Sequence, residues 1–85
     1  MYIFLRYAID EEGTFLDAPM GTWYEADIDD DFADFVAGDF DHISGMYNEV
    51  RRQGRSFCID NIEDKELKEE AESFWYLYEA RVYEL

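Results

Sequence analysis

The sequence predicts a single α+β domain in which a small antiparallel sheet of about three strands carries two or three helices on one face. Two observations support this prediction. Some short segments alternate apolar and polar residues between turn residues, which is typical of strands. Other segments repeat apolar residues every three or four positions, which is typical of helices. The predicted order is β-β-α-α-β-α, and the 85 residues form one domain, 1–85.

The two N-terminal strands are predicted from aromatic and β-branched residues. Residues 1–9 form the first strand. A return strand begins at 14–16, but Pro19 cannot donate to a ladder, so 17–21 is expected to be a loop or a bulged edge. The stronger second strand is predicted over 22–28.

Two helices and a short strand are predicted to follow. Residues 29–37 form a helix, because their apolar side chains repeat at helical spacing and the aspartates of the first turn favour the helix dipole. A second helix covers 43–50 and ends by Gly54. A short strand then covers 55–60.

The C-terminal segment is predicted to be the longest helix, capped by Asn61 or Asp64 and running to about residue 80. Its apolar residues recur at three- or four-residue steps as far as Leu85. A strand after Phe74 is the alternative, because the residues from 78 to 82 also alternate.

Charge is the dominant feature of the composition. The chain carries 22 Asp and Glu against 7 Lys and Arg, a net charge of −15. A small domain needs a net charge of only about 2–8 to stay soluble. The excess repels itself, so a halophilic setting, cation binding or a strongly basic partner is needed to explain it. Nucleic acid and anionic membranes are not expected as direct partners, because both would repel this surface.

The chain is predicted to fold and to act in the cytoplasm. Hydrophobic residues make up 48% and aromatic residues 19%, which argues against disorder. No apolar run approaches 18 residues, and the first ten lack the basic start of a signal peptide, so we expect neither a membrane span nor export by that route. Cys58, the single cysteine, lies in an apolar run and is predicted to be a reduced, buried thiol.

Residues suited to catalysis are sparse. His42 is the only histidine, and a reactive Cys58 would need an electropositive environment that this chain hardly provides. One Cys and one His cannot build a usual zinc site. We therefore predict no enzymatic activity and no cofactor.

A calcium loop fails at the positions that geometry demands. Asp27, Asp29 and Asp31 resemble the first three ligand positions of an EF-hand. Phe32 stands at the sixth position instead of Gly, and Gly38 at the twelfth instead of Glu. No specific metal site is therefore predicted.

The distribution of charge suggests a binding surface. No Lys or Arg lies between Tyr7 and Val50. Short carboxylate side chains crowd into part of this interval, and a rigid array of them can occupy a basic groove in place of phosphates. The predicted partner-binding residues are Asp27, Asp29, Asp30, Asp31, Asp34, Asp39 and Asp41, with Trp23 or Tyr24 as aromatic anchors. A solvated acidic face with no partner is the alternative.

Aromatic residues are too numerous for the core to hide them all. Phe32, Phe35, Phe57 and Phe74 are expected inside it. Some Tyr and Trp side chains should be exposed as binding anchors or at a homodimer interface. The basic cluster of Arg51, Arg52 and Arg55 is expected to pair with neighbouring carboxylates or to help a homodimer form.

Two segments resemble ArdA-type antirestriction proteins. Gly21-Thr22-Trp23-Tyr24-Glu25-Ala26-Asp27-Ile28-Asp29-Asp30-Asp31 is similar to their Gly-x-Trp strand and acidic turn into a helix, and Phe57-Cys58-Ile59-Asp60-Asn61-Ile62-Glu63 to a later strand and acidic segment. The second segment spaces its acids one residue differently. The resemblance to ArdA-type proteins covers at most residues 1–63, and in size and charge alone the chain also resembles the acidic anti-CRISPR proteins of phages. Both resemblances imply a mobile-element protein that imitates DNA.

Three functional hypotheses follow. The first is a DNA-mimicking inhibitor that blocks the nucleic-acid-binding surface of a bacterial defence complex, either a CRISPR effector or a restriction enzyme. The second is an acidic immunity protein or antitoxin that neutralises a basic nuclease toxin. The third is a halophilic or merely acidic structural domain. The first two predict a basic protein partner in the cytoplasm of a bacterial cell.

Overall fold

The α+β class is confirmed by a computed structural model that describes residues 1–24, 27–41 and 43–85, with the backbone alone for 18–20. Four antiparallel strands form one sheet in the order β2-β1-β4-β3. The elements in chain order are β1 (Tyr2–Ile9), β2 (Phe15–Trp23), α1 (Ile28–Gly38), α2 (Met46–Gln53), β3 (Ser56–Cys58), a 3-10 turn (Ile59–Asn61), α3 (Lys65–Glu72) and β4 (Leu77–Glu84).

Strands β1 and β2 form a hairpin, and β2 contains a β-bulge between Pro19 and Gly21. Asp10 closes the connection, because its side chain accepts hydrogen bonds from the backbone N–H of Glu12 at 2.9 Å and of Thr14 at 2.8 Å. Phe4 then opposes Gly21, but Leu5 opposes Pro19, so β2 holds one extra residue. Because β2 lies at the edge of the sheet, a proline, which has no backbone N–H to donate, is tolerated at position 19. The bulged-edge prediction for 17–21 is confirmed.

The prediction of a strand over 22–28 is wrong. The return strand instead starts at Phe15 and ends at Trp23, and Ile28 begins α1. Glu25 and Ala26 lie outside the described residues. The tight hairpin sets Phe15 opposite Ile9, so pairing along the whole of β1 outweighs the break at the proline.

The prediction of a C-terminal helix to residue 80 is also wrong, and the alternative strand is the one found. Helix α3 ends at Glu72, and β4 pairs with β1 over its full length, from Leu77 opposite Ile9 to Glu84 opposite Tyr2. The backbone N–H of Tyr76 starts this pairing by donating to the Ile9 carbonyl at 2.7 Å. A helix here would have left β1 without its second neighbour. Tertiary pairing therefore decides between two patterns that the local sequence permits.

The other boundaries agree with the sequence patterns to within a few residues. Of the two candidate caps of α3, Asp64 is the one used, because its side chain accepts from the Leu67 N–H at 3.1 Å. Gly54 ends α2 with a φ of 91°, a conformation that favours glycine. The predicted strand over 55–60 shortens to Ser56–Cys58, since the chain turns into the 3-10 segment at Ile59.

The core lies between the sheet and the three helices, which cover one face only. Side chains at alternate positions of β1 and β4, among them Phe4 and Tyr78, are fully buried against it. Aromatic rings fill much of the core. The Phe4 ring stacks on Trp23 with 3.9 Å between ring centroids, and it packs edge-on against Phe32 with 5.4 Å between centroids. Phe74 was expected here, but it is 40% exposed because it lies in the bend between α3 and β4.

One polar cluster inside this layer ties α1 to the two central strands. Asp39, next to the C-terminal end of α1, accepts a hydrogen bond from the Tyr78 hydroxyl and pairs with Arg6 at 3.4 Å. Trp75 donates to the Asp39 backbone carbonyl at 2.8 Å. Burial raises the pKa of the Asp39 carboxyl, although the Tyr78 hydroxyl and the Arg6 guanidinium act in the opposite direction. The cluster therefore fastens the helical layer to the sheet.

Removing the Asp39 carboxyl should destabilise the fold. Asp39→Ala leaves the Tyr78 hydroxyl and the Arg6 guanidinium without their partner in a largely buried place. We expect the free energy of unfolding to fall by about 2–4 kcal/mol in urea denaturation followed by tryptophan fluorescence. Asp34→Ala, on the exposed side of α1, is the control and should leave the urea midpoint nearly unchanged. Equal losses in both variants would contradict the role given to Asp39.

Candidate functional site

The three helices form an outer layer that we call the acidic helical layer, consisting of α1, α2 and α3 on one side of the sheet. Helix α1 packs against α2. Helices α2 and α3 line a cleft of about 390 Å³, whose walls include Glu49, Arg52 and Glu70. Helix α2 therefore lies between two helices rich in carboxylates.

The carboxylates at the start of α1 contact arginines in α2 and just before β3. Asp27 caps the helix and accepts from the Asp30 N–H at 3.3 Å. Arg51 of α2 lies 3.1 Å from Asp30 and 3.9 Å from Asp27, and Arg55 donates to Asp29 at 2.9 Å. Three of the predicted partner-binding aspartates are thus brought together, but each is already paired with an arginine.

The contact between Asp27 and Asp30 shifts the pKa values of these two carboxyls in opposite directions. The interaction with Asp30 raises the pKa of Asp27, whereas that same contact and the Tyr47 hydroxyl, which donates at 2.7 Å, lower the pKa of Asp30. The bond to Asp30 in turn raises the pKa of Tyr47 to about 12. Asp30 therefore keeps its charge at a lower pH than Asp27.

Other predicted aspartates face outward. Asp31 and Asp34 are exposed on α1, and a separation of three residues puts their Cβ atoms about 5–6 Å apart on one face. Asp41 is exposed just beyond the helix, with a φ of 32°. Asp39 is turned inward in the polar cluster described above, so it does not belong to the outer surface.

The two predicted aromatic anchors differ in exposure. Trp23 is partly buried because its ring stacks on Phe4 in the core. Tyr24 is 73% exposed, just ahead of α1. Tyr76, one of the aromatics among which exposed binding anchors were expected, is 75% exposed and lies beside Asp60 and Glu72.

Helix α3 supplies a second row of carboxylates. Those at Glu66, Glu69, Glu70 and Glu72 are all exposed, and Lys68 pairs with Glu72 at 3.9 Å. The outward carboxylates of the acidic helical layer therefore come from both α1 and α3, and the first of these two helices is the one that the sequence prediction emphasised.

Glu49 is a buried, paired carboxylate that sequence reasoning did not single out. Its side chain is only 7% exposed and accepts from Arg52 at 2.7 Å and from Gln53 at 2.9 Å. Partial burial raises the pKa of Glu49, but these hydrogen bonds outweigh it and hold the pKa below its ordinary value. The signal in the sequence was the spacing of Glu49 three residues before Arg52 and four before Gln53.

The arginine cluster does pair with neighbouring carboxylates, as one of the two predictions for it stated. Besides Glu49, Arg52 reaches Glu63 at 3.8 Å and donates to the Asn61 carbonyl at 2.9 Å. Arg51 and Arg55 bind the first turn of α1. These side chains fasten acidic elements to one another and leave the surface of α1 and α3 dominated by carboxylates.

In the described parts of the chain, the single cysteine does not belong to a metal-binding group. His42 lies outside the described residues. Cys58 is half-buried instead of fully buried, and burial raises the pKa of its thiol. Among residues 1–24, 27–41 and 43–85, no group of three His, Cys, Asp or Glu side chains is placed to hold a metal ion. In those same ranges, none of the helices has the length and hydropathy needed to cross a bilayer.

The pairing of Glu49 should make stability depend on pH. A lowered folded-state pKa stabilises the fold above the unfolded pKa of about 4.3, and that stability is lost as the pH falls through the folded value. We expect Glu49→Gln to lower the free energy of unfolding by about 1–3 kcal/mol at pH 7. The difference from wild type should shrink in urea denaturation below about pH 4.

Glu66→Gln is the matched control, because Glu66 is exposed on α3 and the charge change is the same. It should leave the urea midpoint nearly unchanged at either pH. A Glu49→Gln deficit that stays constant from pH 7 to pH 3 would show that its charge plays no part.

Comparison with protein-family models, with curated proteins and with solved structures found no match to this chain. The resemblance to antirestriction and anti-CRISPR proteins therefore stays a prediction. Any functional interpretation depends on the charge and the geometry of the acidic helical layer.

Proposed function

We propose that this chain is a DNA-mimicking inhibitor, which binds the nucleic-acid-binding surface of a bacterial defence complex such as a CRISPR effector or a restriction enzyme. The acidic helical layer makes the contact, and the protein acts in the cytoplasm of a bacterial cell. Its action is competitive binding with no catalysis and no cofactor. The partner's own arginines and lysines, which otherwise hold phosphates, provide the attraction.

The observation that carries the proposal is the charge density of the folded chain. The molecule measures 34 Å along its longest axis and has a net charge of −15. A duplex carries one charge per roughly 1.7 Å, so about 20 over the same length. The folded domain as a whole therefore carries a charge per unit length similar to that of a DNA duplex, the ligand that the partner's basic groove binds.

Rigidity of the carboxylates is the second support. The exposed aspartates of α1 have short side chains that keep the charge close to the backbone. The helix that carries them is fastened through Asp29 and Asp30 to Arg55 and Arg51. Because little side-chain freedom is lost on binding, more of the electrostatic attraction is expressed as affinity.

Exposed tyrosines beside these carboxylates suit an arginine-rich partner. Tyr24 lies ahead of α1, and Tyr76 lies next to Asp60 and Glu72. Tyrosine rings stack on guanidinium groups, and tyrosines are frequent among residues that dominate binding energy.

The same tyrosines favour one alternative, an immunity protein or antitoxin that neutralises a basic nuclease toxin. Toxin neutralisation needs a slowly dissociating complex, and buried aromatic anchors mainly reduce the dissociation rate. Both functions use the same surface, so the response to competing DNA is what separates them. Duplex DNA should displace a target that is bound through its DNA groove.

The proposal is tested first by capture from bacterial lysates. The tagged chain is incubated with lysates that contain CRISPR effectors and restriction enzymes, and bound proteins are eluted by a salt gradient and identified by mass spectrometry. We expect a nucleic-acid-binding defence enzyme to elute at moderate salt and to be displaced by duplex DNA. A single toxin that DNA does not displace would support immunity instead, and no specific capture would contradict both.

The contact surface is tested with the captured enzyme and a charge-matched pair of variants. Asp31→Asn, Asp34→Asn and Glu70→Gln are combined on the acidic helical layer, and Glu11→Gln, Glu12→Gln and Glu84→Gln are combined outside it. The first combination should weaken inhibition of DNA binding about 10-fold or more and reduce its salt dependence, while the second should have little effect. Equal effects of the two combinations would show that only net charge matters and that the surface is misplaced.

A further inference from the structure

The face of the sheet that the helices leave uncovered is unusually apolar. Pleating directs alternate side chains of each strand to it, opposite to the buried Phe4 and Ala8. We call the outward side chains of β1, β2 and β4 the open sheet face. Its apolar members include Ile3, Leu5, Tyr7 and Ile9 of β1, Phe15 of β2 and Tyr83 of β4.

Strand β1 has apolar residues at all four outward positions. A sheet with one solvated face normally alternates apolar and polar residues, whereas near-continuous apolar strands belong to sheets covered on both faces. Phe15 is 52% exposed, Tyr83 43% and Tyr7 37%, and Tyr7 packs edge-on against Phe15 at 4.7 Å. The composition of β1 is therefore that of a strand whose second face is also covered.

We infer that the open sheet face binds the same face of a second copy of this chain across a two-fold axis. The inference does not depend on the proposed function, because it concerns the opposite side of the molecule. Stacking the two sheets would direct both acidic helical layers outward, away from each other.

Charge is what selects a second copy as the occupant. The open sheet face holds one positive side chain, Arg81, and two negative ones, Asp17 and Glu79, so its net charge is −1 against −15 for the chain. Nearly all of the repulsion between two copies therefore comes from elsewhere. A second copy therefore meets less repulsion at this face than at the acidic helical layer.

The few charges on the open sheet face of one copy are also complementary to those on the same face of a second copy. In the described ranges, Arg6, Arg51, Arg52 and Arg55 each pair with a carboxylate, but Arg81 forms no ion pair. Arg81, Asp17 and Glu79 line one hollow of about 190 Å³ with Leu5, Tyr7 and Tyr83. A two-fold axis brings the arginine of each copy toward the acidic side chains of the other.

The available area predicts a weak dimer. Three long strands about 26 Å in length and about 4.8 Å apart present a footprint of roughly 370 Å² per copy, less than the roughly 800 Å² per partner of standard specific interfaces. We therefore expect dissociation in the micromolar range. Salt should tighten the dimer, because it screens repulsion between two chains of charge −15.

Sedimentation equilibrium of the full chain tests the inference. With rising protein concentration, the mass should move from 10.2 kDa toward twice that value, and added sodium chloride should lower the dissociation constant. Phe15→Ser combined with Tyr83→Ser should raise the dissociation constant about 10-fold or more. The matched control, Tyr24→Ser with Tyr76→Ser, removes two aromatics that are more exposed but lie outside this face, and should leave the dimer intact.

A charge reversal gives a second measurement that does not alter the apolar packing. Arg81→Glu should weaken the dimer more than Lys65→Glu, which makes the same charge change on α3. Circular dichroism of each variant verifies that it is folded. A chain that stays monomeric at every concentration and salt, or a dimer equally sensitive to the control variants, would overturn the inference. Because salt should weaken partner binding and strengthen the dimer, failure of one proposal is distinguishable from failure of the other.

Discussion

Mutual repulsion among carboxylates is the constraint on which the rest of this structure depends. With 22 acidic residues in 85, almost any compact arrangement brings like charges together. The fold places arginines where acidic elements meet: Arg6 joins β1 to the end of α1, Arg51 and Arg55 hold the start of α1, and Arg52 holds Glu49 and Glu63. Many of the carboxylates that these arginines do not reach, such as Asp31, Asp34 and Glu70, lie on the solvent-facing side of the helices.

This division of charge gives the molecule two different sides. The helical side is acidic and is held in place by internal ion pairs. The open sheet face carries little net charge and combines exposed Tyr and Phe with half-buried Ile and Leu. A basic partner and a second copy would therefore use separate surfaces, and each association would respond to salt in the opposite direction.

Much of the candidate surface could be predicted from the sequence, but not the state of each side chain. The crowding of aspartates into the region of α1 is visible in the sequence because it depends on composition and local spacing. That Asp39 turns inward and that Asp27, Asp29 and Asp30 meet arginines is not visible. Arg51 and Arg55 lie more than twenty residues away from these aspartates, so the contacts exist only once α2 and β3 have packed.

The sequence by itself determined the fold class, the first strand, α1 and the intense acidity, because each depends on local spacing or on composition. The tertiary structure alone decided the conformation of the segment after Phe74. The residues of β4 fit a helix and a strand about equally well, and hydrogen bonding to β1 settles the choice. Pairing with β1 likewise keeps β2 extended on both sides of Pro19. Long-range ladders combine many weak contacts, which no local window of sequence contains.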